Sequence, residues 1–324
     1  MRDKVIDVAR GIAIILVIIG HSIQYSVPAF DSNLIFRYIY SVHMPLFMFI
    51  SGYTLFFSRN RININFLIKK FNLLVVPFFS WFIISFYLKN TYLTQSFITR
   101  LIQLLKSPDY GLWFLWVLFL INIIFILLFF IIDKLKFYEL EDIFIIFGIY
   151  LISIIPTNVL GLHLVKWYIV FFCIGYFVSK FKTILLKSLV NYQFLAVLLF
   201  VPFAYFWNRT TPPSFNLYLG NHFTREIVTV ITSLYLYLTP LTGIATILSV
   251  SNIVSKLKYS NIFIFIGGIT LEIYSLHTFF LHTHGQSFLN ISYTFFTTLA
   301  STILAIIILK KIMFLRYILF GRIS

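Results

Sequence analysis

Long apolar runs recur along this chain, separated by short polar or basic segments. Ten of them reach or approach the roughly 20 residues that a helix needs to cross a hydrocarbon core of about 30 Å. They predict helices near residues 5–27, 35–58, 71–88, 112–132, 143–157, 165–180, 188–207, 226–250, 261–284 and 288–310, the fifth and sixth being short. Pro45, Pro77, Pro202 and Pro240 fall inside these runs. Kinks of that kind are tolerated in membranes, where neighbouring helices satisfy the freed carbonyls. The pattern predicts an all-α, polytopic transmembrane helical bundle of about ten spans, built as one domain over residues 1–324.

The first run carries Asp7, Arg10 and His21 among apolar residues. A charge near the bilayer centre costs roughly 2.5–3.5 kcal/mol even on lenient insertion scales, so such groups have partners or a function. Eleven helical steps place Arg10 and His21 almost in line, about 16 Å apart along the axis, with Asp7 one turn below Arg10. The helix therefore has one polar stripe. Asp7 is a candidate catalytic carboxylate, and its i, i+3 spacing equally suits an ion pair with Arg10. Arg2 and Lys4 precede the run as in a signal peptide, but the internal charges and the lack of a small-residue cleavage pattern predict that it is retained.

Composition narrows the class further. With 60% hydrophobic and 11% charged residues and a mean hydropathy of +0.96, the 324 residues lack the polar surface of a soluble domain. The net charge of +15 does not imply nucleic acid, because the basic residues lie between apolar runs. Threading the chain from a cytoplasmic N-terminus puts seventeen of the 25 basic residues on one side and seven on the other, with Arg10 inside a span. That asymmetry predicts that both termini are cytoplasmic. The Ile, Phe, Lys and Asn bias points to an AT-rich bacterial genome. A lone cysteine, Cys173, excludes an internal disulfide and a cysteine-based metal site, and no metal is expected.

Counting 1.5 Å per residue from the inner end of each predicted helix places His21, His43 and His277 at roughly 22–24 Å, in one outer layer. Glu272 lies deeper, at roughly 16 Å on the same count, where it is a candidate acid or orienting group. His21 suits proton transfer because an imidazole titrates near neutrality. His43 and His277 are expected to bind the second substrate or assist. His163, His222, His282 and His284 fall in outer loops or at a helix end, and the last two point to different sides of a helix without an acidic companion, so no zinc site is expected. No serine-hydrolase elbow or P-loop is present. Buried charges also mark transport pathways, so a transporter or export partner for polysaccharide or lipid-linked sugar stands as the alternative.

Several motifs carry a resemblance. Ile6, Asp7, Val8, Ala9, Arg10 and Gly11 are followed, after ten intervening residues beyond Arg10, by His21; the run from His43 to Ser51, Gly52 and Tyr53 follows. Then come Lys69 and Lys70 leading to Pro77, Phe78 and Phe79; Leu112, Trp113, Phe114 and Leu115; Ile174, Gly175 and Tyr176; and Leu271 to His277. In order and over nearly the whole chain, these resemble the integral-membrane acyltransferase family 3, particularly members similar to fucose 4-O-acetylase. The resemblance implies a multi-pass protein of the bacterial cytoplasmic membrane that moves an acyl group, usually acetyl from acetyl-CoA, to a hydroxyl of a cell-surface or lipid-linked carbohydrate. It implies His21 as the catalytic residue and Arg10 as its motif partner. Arg59, Arg61, Lys69 and Lys70, at the predicted cytoplasmic mouth, then suit the donor phosphates, and His43, Trp113 and His277 the acceptor. The soluble esterase-like domain of longer relatives has no counterpart in this sequence.

Overall fold

The computed structural model describes residues 3–108, 112–156, 159–182, 193–210, 223–282 and 285–322. The regular elements among them are helical. The α-helices are α1 (Lys4–Ser26), α2 (Leu34–Tyr40), α3 (His43–Phe56), α4 (Ile64–Leu88), α5 (Phe97–Lys106), α6 (Trp113–Leu135), α7 (Glu141–Ser153) and α8 (Leu162–Lys180). They continue with α9 (Gln193–Phe206), α10 (Arg225–Ser255), α11 (Ser260–Gly268), α12 (Thr270–Leu276), α13 (Phe288–Leu309) and α14 (Met313–Phe320).

Seven stretches among the described residues are long and apolar enough to cross a membrane, and an eighth arises if Ser260–Gly268 and Thr270–Phe279 form one bent span. The sequence pattern suggested ten. The two runs not counted among them fall on α7, with 13 residues, and on α9, which has 14 described residues and begins where the description resumes. At 1.5 Å per residue α7 extends roughly 20 Å, short of the hydrocarbon core. Two expected continuous spans are also interrupted. The second divides into α2 and α3 at Ser41 and Val42, and the ninth bends by 65° at Ile269. There the hydroxyl of Thr270 donates to the carbonyl of Gly267 at 2.9 Å, occupying an acceptor that a continuous helix would use.

The chain forms two compact units, residues 1–51 with 177–306 and residues 52–176 with 307–324. In the first, α1 is central and packs on α11, α10, α2 and α12. Its start is capped by Asp3, whose carboxylate accepts from the backbone N–H groups of Val5 and Ile6 and from Lys182 Nζ at 2.6 Å. Between Val5 and Gln24 no residue of α1 is exposed, so its polar stripe faces protein, as the cost of lipid-facing charge demands. In the second unit, α4 packs on α6 and α14. The indole of Trp81 donates to the carbonyl of Leu319 at 2.8 Å and ties α14 to α4.

Two glycines let α1 and α11 meet backbone to backbone. A Cβ on Gly11 would lie 2.1 Å from the carbonyl oxygen of Phe263, and one on Gly267 would lie 2.4 Å from that of Asp7. Neither clash is relieved by rotating a side chain, and small residues at such crossings are how membrane helices approach closely. Gly11→Ala is expected to destabilise the protein by about 1–3 kcal/mol. The check is the melting temperature of the purified full chain, where an unchanged value would contradict this packing.

Candidate active site

The histidine layer inferred by counting residues is assembled in the first unit. His21, on the fifth turn of α1, has its Nδ1 3.0 Å from the carbonyl oxygen of Val17 and 3.2 Å from Nε2 of His277. His277, just past the end of α12, has its own Nδ1 3.0 Å from the carbonyl of Ile273 and 2.9 Å from that of Tyr274. His43, at the start of α3, has Nδ1 2.8 Å from the carbonyl of Ile39. A carbonyl only accepts, so each Nδ1 carries the proton when its ring is neutral. Every one of these three imidazoles then has a proton-free Nε2. His43 and His277 are buried, at 3% and 1% exposure, whereas His21 retains an open part of its surface. His21 is thus the least buried of the three, with its Nε2 free of a proton when the ring is neutral.

Tyr40 joins the group. Its ring lies edge-on to His21 with centroids 6.0 Å apart and 4.6 Å from that of His43, and its hydroxyl donates to Gln24 Oε1 at 2.6 Å. Neither Tyr40 nor Gln24 was singled out in the sequence. Among 20 tyrosines and 40 phenylalanines one aromatic carries no signal, and Gln24 lies one turn beyond His21 on α1, where a polar residue reads as the helix end.

Further along α1, Arg10 Nη1 lies 3.5 Å from Asp7 Oδ1, the i, i+3 contact that the spacing permits. Asp7 is buried and Arg10 partly so. Glu272 is fully buried on α12, the short helix beyond the bend. The break at Ile269 thus gives Glu272 and His277 a helical direction of their own.

In the second unit, Arg59 is engaged on every side of its guanidinium. Its Nη1 and Nη2 donate to the two carboxylate oxygens of Asp133 at 3.0 and 2.6 Å, its Nε donates to Glu141 at 3.1 Å, and its Cζ stands 4.3 Å over the ring of Phe129. Tyr176 donates to the other oxygen of Glu141 at 2.7 Å. Burial opposes the charge of Arg59, but its bonds to the two carboxylates outweigh that and raise its pKa above the ordinary guanidinium value. Arg61 and Lys69 are exposed, and the ammonium of Lys70 lies 5.3 Å from the ring of Phe66. Trp113 begins α6 with its ring 5.1 Å from that of Tyr168. His163 and His282 are exposed, and His222 and His284 lie outside the described residues. Among the described residues no group of three His, Cys, Asp or Glu side chains is placed to hold a metal ion.

Comparison with known proteins bears on what this arrangement does. The family described as an acyltransferase domain, Acyl_transf_3, matches residues 3–310. The chain belongs to acyltransferase family 3. The match spans both compact units and includes His21, His43, Trp113, Glu272 and His277. Among curated relatives, "Nodulation protein NolL" of Mesorhizobium japonicum is 35% identical over 133 residues, 37% of this chain and 34% of that protein. "Nodulation protein NolL" of Sinorhizobium fredii is 46% identical over 56 residues, 16% of this chain and 15% of that one. The aligned stretches thus span about a third of one relative's length and less of the other's. No solved structure matches the chain significantly. The chain thus combines membership of this family with several helices that are long and apolar enough to cross a membrane.

Proposed function

We propose that this acyltransferase moves a short acyl group, acetyl in the first instance, from acyl-CoA to a hydroxyl of a cell-surface or lipid-linked carbohydrate. The observation that carries the reading is the state of His21, a half-buried histidine whose Nδ1 is committed to the Val17 carbonyl and whose Nε2 is left to take a proton. In the reaction, Nε2 accepts the proton of the sugar hydroxyl as its oxygen attacks the thioester carbonyl. The C–O bond forms, the C–S bond breaks, and the departing CoA thiolate takes the proton back from the imidazolium. His21 is then neutral again. The same nitrogen also suits the alternative in which it carries the acyl group covalently.

The remaining candidate residues take other roles. Arg10, about 16 Å from His21 toward the N-terminus of α1, meets the donor, with Asp7 fixing its guanidinium. A pantetheine arm has a similar length and would bring the thioester to the histidine layer. Arg61, Lys69 and Lys70 attract the donor phosphates from the side that the basic-residue count makes cytoplasmic. Arg59 contributes there only if it gives up Asp133 or Glu141. Glu272 acts as a buried acid or orienting group, and His43 and Trp113 serve the acceptor.

The test is transfer of labelled acetyl from acetyl-CoA by the purified full chain in lipid nanodiscs to a panel of methyl glycosides that includes methyl fucoside. Alkali-labile label on a sugar is expected. Uptake of glycosides into proteoliposomes without ester formation would replace this reading with the transport one. Orientation is checked separately. After replacement of Cys173, single cysteines at Asn63 and Lys256 are expected to be labelled only from the cytoplasmic side, and one at Ser107 only from outside. The reverse pattern would overturn the assigned donor side.

A further inference from the structure

We infer that His277 is a positioning residue for His21 and does not contact the acceptor sugar. This rests on the reading of His21 as the proton acceptor. Both nitrogens of the buried His277 ring face protein. Nδ1 lies against the carbonyls of Ile273 and Tyr274, and Nε2 lies 3.2 Å from His21 Nδ1. No ring nitrogen is left for a sugar hydroxyl.

The carbonyls also set the direction of the contact. If the proton between the two rings belonged to His277 Nε2, a neutral His277 would turn a bare Nδ1 toward two carbonyl oxygens, and His21 would turn a bare Nδ1 toward the carbonyl of Val17. Three acceptor pairs would then face each other without a proton. With the proton on His21 Nδ1, all three carbonyls receive a donor and His277 Nε2 accepts. The bend at Ile269 makes this contact possible, because it frees α12 from the axis of α11 and carries His277 to the α1 ring.

Two consequences follow for the reaction. The His21 ring is held by two acceptors, Val17 O and His277 Nε2, which orient its basic Nε2. When Nε2 takes the hydroxyl proton, the positive charge spreads to an Nδ1–H that already has both acceptors in place, so the charged state forms without rearrangement. His277 gains no proton in the step.

Two measurements on the full chain in nanodiscs test this. Nitrogen-15 correlation spectra of histidine-labelled protein are independent of any acceptor. They are expected to connect His21 Nδ1 and His277 Nε2, with the proton on His21. A proton on His277 Nε2, or no connection, would overturn the inference whatever the activity. In kinetics with acetyl-CoA and methyl fucoside, His277→Leu removes the acceptor and is expected to lower kcat by about 100-fold with both KM values within about twofold. His277→Gln places an amide oxygen within reach of His21 Nδ1 and is expected to recover at least about tenfold of that loss. Equal loss in both variants, or a change confined to the fucoside KM, would contradict a positioning role. Should the leucine variant fail to insert, His277→Asn, whose shorter amide does not reach His21, takes its place. The parent reading fails differently, through acetyl transfer that survives His21→Ala.

Discussion

Replacing His21 with alanine is expected to lower acyl transfer by at least about 100-fold, the contribution of a positioned proton acceptor, while the protein still inserts and accumulates. The two outcomes separate for physical reasons. His21 is the least buried of the three histidines, so its removal disturbs the packing less than removal of His43 or His277 would. It also removes a polar group from a membrane helix, which insertion favours. The variant is expected to elute as the wild type on size exclusion and to bind acetyl-CoA with unchanged affinity. Near wild-type transfer would take His21 out of the mechanism, and loss of the protein itself would assign it to the fold.

Arg10→Lys is expected to raise the KM for acetyl-CoA by roughly tenfold or more and to leave the acceptor KM within about twofold. Lysine keeps the charge but gives up the planar fork of donors, so the change isolates geometry from net charge. Arg10 lies three turns from His21 on α1, too far along the helix for it to touch the hydroxyl that His21 deprotonates. The competing role is a structural pair with Asp7, whose carboxylate is 3.5 Å away. Exchanging the two residues separates the cases, since a purely structural pair would survive the exchange with normal donor binding. A normal donor KM in a well-inserted Arg10→Lys protein would return Arg10 to that structural role.

Much of this site could be read from local pattern because helical geometry is regular. The polar stripe of α1 follows from the spacing of Asp7, Arg10 and His21, and residue counting alone put His21, His43 and His277 at one depth. In the fold, His21 and His277 touch, and Tyr40 lies between His21 and His43. What stayed hidden depends on partners distant in the chain. Arg59 looks from sequence like its neighbours Arg61 and Lys69, yet Asp133 and Glu141, which enclose it, lie 74 and 82 residues away. The bend at Ile269 was equally unreadable. Gly267 and Gly268 are common enough in membrane helices, and the close approach of Gly267 to the backbone of Asp7 is a tertiary fact. Without that bend the contact that fixes the His21 proton could not be foreseen. The shortness of α7 does not show in the sequence because hydrophobic runs register apolar character more faithfully than helix length.

In the proposed reaction, a donor entering from the side of the α1 N-terminus delivers its acyl group to a histidine near the opposite end of that helix. Proteoliposomes with the protein in one known orientation, acetyl-CoA confined to one side and methyl fucoside supplied on both report this delivery. Acetyl ester is expected only when acetyl-CoA is on the side of the α1 N-terminus, and His21→Ala is expected to abolish it. Ester formed equally well with acetyl-CoA on the other side, or formed by the His21→Ala protein, would contradict the account.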